Sequence, residues 1–77
     1  MMVRAYVLIQ TDAGKAMEVV DRVAGAPGVA EVDAVTGPYD VIARVEAADV
    51  ARLGRLIMDS VQSVPGVVRT LTCPLTG

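Results

Sequence analysis

The amino-acid sequence predicts an α+β domain in which strands and helices follow the order βαββαβ. Two observations carry this prediction. When the 77-residue chain is shifted by 38 positions, Ala-Pro-Gly-Val at 26–29 falls on Val-Pro-Gly-Val at 64–67, and the apolar run 3–9 falls on the run 41–47. In each half, an apolar run is followed by a segment of helical periodicity and then by a second run typical of a strand. The chain therefore contains one βαβ unit written twice.

The first strand and the first helix follow from composition and periodicity. Residues 3–10 are mostly apolar, with many β-branched side chains, which predicts a strand. Apolar residues at helical spacing then predict a helix that ends near Ala24, with Gly25 as its C-terminal cap. Thr11 or Asp12 is expected to accept hydrogen bonds from the first free amides of this helix.

The second and third strands are predicted to form a hairpin with a longer loop. Residues 29–35 place Glu31 and Asp33 on one side and small apolar residues on the other, as in a strand with one partly wet face. The Gly-Pro pair at 37–38 breaks this strand, and residues 41–46 form the third.

The second helix is predicted to begin after a cap at Asp49 and to end at the Pro-Gly pair 65–66. Its apolar stripe is expected to consist of Val50, Leu53, Gly54, Ile57, Val61 and Val64. Because glycine costs about 1 kcal/mol relative to alanine inside a helix, Gly54 predicts close packing at that point. Residues 67–73 form the last strand, which Pro74 ends.

Two right-handed βαβ units joined by a hairpin predict the ferredoxin-like arrangement, a four-stranded antiparallel sheet with both helices on one face. The other face of the sheet is then bare. We expect this face to carry Tyr6, Leu8, Val32, Ala34, Ile42, Val68, Thr70 and Thr72. Most of these side chains are apolar, so the pattern predicts a dimer in which two sheets pack face to face.

The overall composition also predicts a homo-oligomer. The chain is 53% hydrophobic, with a mean hydropathy of +0.51, which is more apolar surface than so small a domain can bury alone. A net charge of −2 with scattered basic residues argues against direct binding of DNA or other nucleic acid. No run approaches a membrane span, and the single Cys73 suits a reduced compartment, so we expect a cytoplasmic protein that does not enter membranes.

Enzymatic function is disfavoured by the residue inventory. The chain has no His and no Asn, so Ser-His-Asp and Cys-His catalysis and histidine-based metal sites are excluded within one chain. No phosphate-binding glycine pattern is present, and Cys73 has no close cationic neighbour to activate it. We therefore expect no catalytic residue, no metal and no cofactor.

The loop 36–40 is the one segment whose chemistry indicates a binding site. Gly37 leaves backbone amides unshielded, Tyr39 offers an aromatic body with a hydroxyl, and Asp40 supplies a carboxylate. Such a set suits a zwitterion, whose carboxylate would accept hydrogen bonds from the amides and whose ammonium would donate to Asp40. The alternative is a purely structural hairpin loop, in which Asp40 satisfies local amides and Tyr39 packs for stability.

Four features resemble the effector-binding domain of the Lrp/AsnC transcription regulators, also called the RAM domain. They are the element order, the loop Val-Thr-Gly-Pro-Tyr-Asp-Val at 35–41, the helix exit at 64–67 and the closing Arg-Thr-Leu-Thr at 69–72. The resemblance covers residues 1–77 as a single ligand-sensing domain. It implies a stand-alone form that lacks the family's helix-turn-helix and senses an amino acid without contacting DNA directly.

The resemblance also implies a binding site and an assembly. Gly37, Tyr39 and Asp40 would contact the charged backbone of the effector, beside Thr36 of the same loop, while Thr70 and Thr72 would line the pocket. Pro38 departs from the polar residue common in the family. Family dimers form rings, commonly octamers, and the partner would be a full-length Lrp/AsnC regulator. Two other hypotheses remain open, a small enzyme of the dimeric α/β-barrel kind and an assembly module without an effector.

Overall fold

The computed structural model describes residues 2–76 and confirms the predicted order βαββαβ. Its elements are β1 (Val3–Thr11), α1 (Ala16–Ala24), β2 (Val29–Ala34), β3 (Val41–Ala47), α2 (Val50–Ile57), which continues into a π-helical stretch (Met58–Gln62), and β4 (Val67–Pro74). Within these residues, no helix is long and apolar enough to cross a membrane.

The four strands form one antiparallel sheet in the order β2-β3-β1-β4, with both helices packed on the same face. This is the ferredoxin-like arrangement that the sequence predicted. On the helix-covered face, every second residue of the two central strands is buried, namely Ala5, Val7, Ile9, Val41, Ala43, Val45 and Ala47. The helices cover them with Val19, Val23, Leu53, Ile57 and Val61. Burial of each of the larger aliphatic side chains contributes about 1.5–3 kcal/mol, so this layer supplies most of the stability.

The repeat seen in the sequence reappears as a reciprocal contact between the two halves. Gly28 and Gly66 occupy equivalent turns, with φ of 84° and 98°, a region that favours glycine. The carbonyl of Gly28 accepts the amide of Glu46 in the second half, and the carbonyl of Gly66 accepts the amide of Asp12 in the first, both at 2.8 Å. Each half therefore donates one main-chain hydrogen bond to the glycine turn of the other half.

The predicted caps are confirmed for one helix and wrong for the other. The carboxylate of Asp49 accepts the amide of Arg52 at 2.7 Å at the start of α2. At the start of α1, Lys15 is the N-cap and makes no side-chain cap bond, so neither Thr11 nor Asp12 caps the helix. The reason is an intervening turn, since the carbonyl of Asp12 accepts the amide of Lys15 at 3.0 Å before the helix begins.

The apolar stripe of α2 is narrower than predicted. Leu53, Ile57 and Val61 are buried at four-residue spacing, whereas Val50 is 73% exposed. Gly54 does not pack closely, because a methyl group added to it would meet no atom within 4 Å. The expected close contact at Gly54 is therefore absent from the part of the chain that the structure describes.

The prediction that Thr70 and Thr72 of β4 lie on the bare face is wrong. Thr70 lies opposite Ile9 and Thr72 opposite Val7, so both threonines share the helix-covered face with those buried residues. A register shift near Gln10 leaves Val68 as an extra residue without a partner. Successive side chains of a strand alternate between faces, so a one-residue change of register moves the whole set. Arg69, Leu71 and Cys73 therefore occupy the bare face instead.

The prediction that Val32 and Ala34 of β2 lie on the bare face is also wrong, and the reason is again a register shift. Val32 lies opposite Ala43 and Ala34 opposite Val41, on the helix-covered face. A second register shift, between Val29 and Glu31, sets this parity. The bare face consequently carries Glu31 and Asp33 beside the correctly assigned Tyr6, Leu8 and Ile42.

Candidate functional site

The loop of residues 35–40 between β2 and β3 is closed by main-chain hydrogen bonds. The amide of Val35 donates to the carbonyl of Asp40 at 2.8 Å, and the amide of Asp40 donates to the carbonyl of Ile9 at 2.9 Å. Gly37 has a φ of 154° and open space around its Cα. Both ends of the loop are therefore fixed to the sheet, while its tip is exposed.

The carboxylate of Asp40 connects the start of β3 to the end of β1. Its Oδ2 accepts the backbone N–H of Thr11 at 2.8 Å and the Thr11 hydroxyl at 3.3 Å, in a partly buried position. These contacts correspond to the structural alternative for Asp40, although the amide it satisfies belongs to β1 and not to its own loop. Both bonds use the same oxygen.

A cavity of about 320 Å³ lies between the loop and the bare face of the sheet. Its volume is at the lower end of the roughly 300–1,000 Å³ typical of small-molecule sites. The lining residues are Leu8, Val35, Thr36, Gly37, Pro38, Tyr39, Ile42 and Leu71. Three of them, Ile42, Leu8 and Leu71, lie side by side on β3, β1 and β4, and we call them the apolar row.

The six predicted site residues fall into three groups. Thr36, Gly37 and Tyr39 line the cavity together. Asp40 adjoins them but is not among the lining residues. Thr70 and Thr72 face the helices, and the hydroxyl of Thr70 lies 3.0 Å from Nε2 of Gln62, its hydrogen-bond partner.

Sequence reasoning missed Val35 and Leu71 as lining residues, and it treated Pro38 only as a departure from the family. Leu71 was missed because the alternation of β4 was read one residue out of step, which placed Leu71 on the helix-covered face. Leu8 and Ile42 were placed on the correct face, but nothing in the chain order linked them to the loop. The signal that could have found Leu71 is its place between Thr70 and Thr72, where alternation turns it to the opposite face.

Next to the apolar row, the bare face carries a charged cluster. Arg44 forms an ion pair with Glu31 at 2.9 Å, and together with Tyr6, Asp33 and Ile42 they line a small cavity of about 60 Å³. The Nε atom of Arg44 is buried and has no hydrogen-bond partner among the described residues. Charge on this face is balanced, with Arg4, Arg44 and Arg69 matched by Glu31, Asp33 and Glu46.

A ferredoxin-like sheet with a cavity of this size beside one loop is a small domain with room for a ligand. The particular family is identified by comparison, because the model of the Lrp/AsnC ligand binding domain matches residues 4–76. The chain belongs to this family. Since the match includes almost the whole chain, it covers both the loop and the apolar row.

Relatives of this chain include regulators and solved structures. An uncharacterized HTH-type transcriptional regulator of Pyrococcus horikoshii is 34% identical over 71 residues, which cover 88% of this chain and 47% of the regulator. The chain thus spans about half the length of this relative.

Among solved structures, a protein of Thermus thermophilus is 36% identical with a TM-score of 0.91, covering 97% of this chain and 94% of that one. A transcriptional regulator of Neisseria meningitidis, crystallised as a complex with L-Met, is 21% identical with a TM-score of 0.84, covering 97% of this chain and 50% of that one. At that identity the second likeness concerns the fold alone.

Proposed function

We propose that this chain is a non-catalytic, oligomeric module that binds an amino acid and modulates transcription through a partner regulator in the cytoplasm. The observation that carries the proposal is the cavity of about 320 Å³ between the loop and the apolar row. Membership of the Lrp/AsnC ligand binding domain family supports it. The regulator of Neisseria meningitidis that was crystallised with L-Met has the same fold, which adds support for an amino acid as the ligand class.

In this proposal, the loop recognises the charged end of the effector. The exposed backbone around Gly37 offers an N–H group to the effector carboxylate, and the hydroxyls of Thr36 and Tyr39 are the other polar groups of the lining. Asp40 accepts the effector ammonium through Oδ1, because Oδ2 already accepts two bonds from Thr11. Thr70 and Thr72 are not part of the proposed site, since they face the helices.

A second copy completes the assembly in this proposal. Tyr6, Val35 and Leu71 are large hydrophobic residues that the single chain leaves exposed along the bare face. A sheet-to-sheet dimer would cover Tyr6 and, because Val35 and Leu71 also line the cavity, would close the cavity over the effector. The equal numbers of arginines and carboxylates on this face suit contact with an identical face. We propose that such dimers form a ring, with an octamer favoured, and that a full-length Lrp/AsnC regulator is the partner.

A calorimetric screen tests the proposed effector class. The twenty amino acids are titrated at millimolar concentration into the full chain, and the melting temperature is measured with each. We expect heat and a raised melting temperature for at least one amino acid, because a ligand that binds only the folded state stabilises it. No response to any of the twenty would sink the proposal.

One observation favours a second function, an assembly module without an effector. The carboxylate of Asp40 already accepts two bonds from Thr11, so this side chain has a structural role that needs no ligand. This function predicts no response in the amino-acid screen together with a concentration-dependent oligomer. The amino-acid screen therefore distinguishes the two functions, and sedimentation of the same samples tests the oligomer that both of them require.

A further inference from the structure

We propose that the charges of the bare face set how this chain pairs with a second copy, by placing the acidic edge of one sheet over the basic edge of the other. This inference rests on the sheet-to-sheet dimer of the proposed function. It adds the orientation of the two copies and the side chains that select the partner, and it is carried by the order of charges across the sheet.

The charges of the bare face are sorted by strand. At one edge of the sheet, β2 contributes the two carboxylates of Glu31 and Asp33, and at the opposite edge β4 contributes the guanidinium of Arg69. Between these edges, β3 carries one arginine and one glutamate, and β1 carries Arg4. The formal charge is therefore −2 on β2, zero on β3 and +1 on each of β1 and β4.

Two-fold symmetry allows two aligned ways of stacking one such face on another. If the symmetry axis runs across the strands, each strand faces its own counterpart, and the carboxylates of β2 meet the carboxylates of the other β2. If the axis runs along the strands between β3 and β1, β2 faces β4 of the second copy and β3 faces β1. Like charges that face each other oppose association, so the order of charges favours the second orientation.

The two central strands are also complementary in this orientation. Because a position along the axis is unchanged by the symmetry, residues that are register partners within one chain face each other between the copies. The facing pairs are Ile42 with Leu8, Arg44 with Tyr6, and Glu46 with Arg4 of the second copy. The first pair is apolar, the second sets a cation against an aromatic ring, and the third joins opposite charges.

The two edges supply the most selective contact. Asp33 lies in the same row across the sheet as Leu71, and Arg69 is the next residue of β4 on the bare face, about 7 Å further along the strand. Both Asp33 and Arg69 are exposed, and the ion pairs found among residues 2–76 involve neither of them. Each is therefore available to the second copy. A partner without an acidic and a basic edge in these places would be disfavoured by the same charges.

Charge reversal at the two edges tests the orientation. Asp33→Arg leaves the chain with an arginine at both edges, and Arg69→Asp leaves it with an aspartate at both edges. Sedimentation of the full chain measures the dissociation of each variant alone and of an equal mixture. We expect each variant alone to dimerise at least about tenfold more weakly than the parent chain, and the mixture to form a mixed dimer at least about tenfold more tightly than either variant alone.

The rescue by mixing can come only from contact between copies. Within one chain, β2 and β4 are three strand spacings apart, which is about 14 Å. This distance exceeds the Debye length of about 8 Å at physiological ionic strength, so the two edges of one chain interact little. Asp21→Arg is the matched control, because it changes the net charge equally at an exposed position of α1. We expect it to change dimerisation less than about twofold, alone or in mixtures.

Two results would overturn the inference while leaving the proposed dimer intact. One is an Asp33→Arg variant that dimerises as tightly as the parent chain or more tightly, as expected if the acidic edges face each other. The other is a mixture that dimerises no more tightly than the separate variants. A parent chain that stays monomeric at every concentration would overturn the inference and remove the proposed assembly as well. Far-UV circular dichroism of each variant confirms that the chains compared are folded.

Discussion

The two faces of the sheet are made from the same strands but differ in chemistry. Under the helices, the central strands present only aliphatic side chains, most of them fully buried. On the bare face, three arginines and three carboxylates accompany the apolar row. The covered face is therefore a core that excludes water, whereas the bare face carries both apolar side chains and charged side chains that water can solvate. Such a mixed surface is typical of a contact that forms and dissociates.

Neighbouring residues on β1 give the sharpest test of this difference. Ile9 is fully buried on the covered face, and Leu8 is half-buried on the bare face. We expect Ile9→Ala to lower the free energy of unfolding by about 2–5 kcal/mol, and Leu8→Ala to lower it by about 1 kcal/mol or less in dilute samples. Urea unfolding measures both. Equal losses at every protein concentration would show that the bare face is also part of the core.

Asp40 and Asp33 both carry a carboxylate near the bare face, but we expect their removal to have different effects on stability. Asp40→Ala leaves the partly buried amide of Thr11 without its acceptor, so we expect a loss of about 1–3 kcal/mol in the free energy of unfolding. Asp33 is exposed, and we expect Asp33→Ala to change it by about 0.5 kcal/mol or less. If the two variants were equally stable, the bonds to Thr11 would contribute nothing.

A substitution at Gly54 tests whether a second copy packs against the outer surface of the helices and not against the bare face. Since open space surrounds it, we expect Gly54→Ala to raise the free energy of unfolding by about 1 kcal/mol through better helix propensity. Thermal melts across a range of protein concentrations measure this. A loss of stability that grows with concentration would place another copy against the helices.

The ion pair of Arg44 and Glu31 gives the smallest expected effect. The Glu31 side chain is 60% exposed, so we expect Glu31→Ala to cost less than about 1 kcal/mol. The difference should vanish near ~1 M salt, where the Debye length is about 3 Å. A larger cost that persists in high salt would mean that the charged cluster is buried, as contact with a second copy would make it.

Most of the fold could be predicted from the sequence, because the element order depends on local patterns. The 38-residue repeat located both βαβ units, and alternation grouped Glu31 with Asp33 and Thr70 with Thr72 correctly within their strands. What alternation cannot supply is the register between strands. Register shifts beside Gln10 and Glu31 set it here, so the two edge strands were assigned to the wrong faces.

The candidate site was predicted only on its loop side. Thr36, Gly37 and Tyr39, which line the cavity, were singled out because glycine and tyrosine in a turn have recognisable chemistry. The apolar row was not found as a unit, since its members are separated in the chain and resemble ordinary core residues. The bond from Thr11 to Asp40 was equally out of reach, because it joins residues whose proximity depends on the pairing of β1 with β3.

The position of β1 in the sheet has a consequence for synthesis of the protein. Of the four strands, β1 is synthesised first, yet one of its edges is completed by β4, which is synthesised last. Until then, β1 presents an unpaired edge that another chain can occupy. Such long-range pairing also slows folding. We therefore expect early pairing of residues 67–74 with β1 to protect the new chain from pairing with a neighbour.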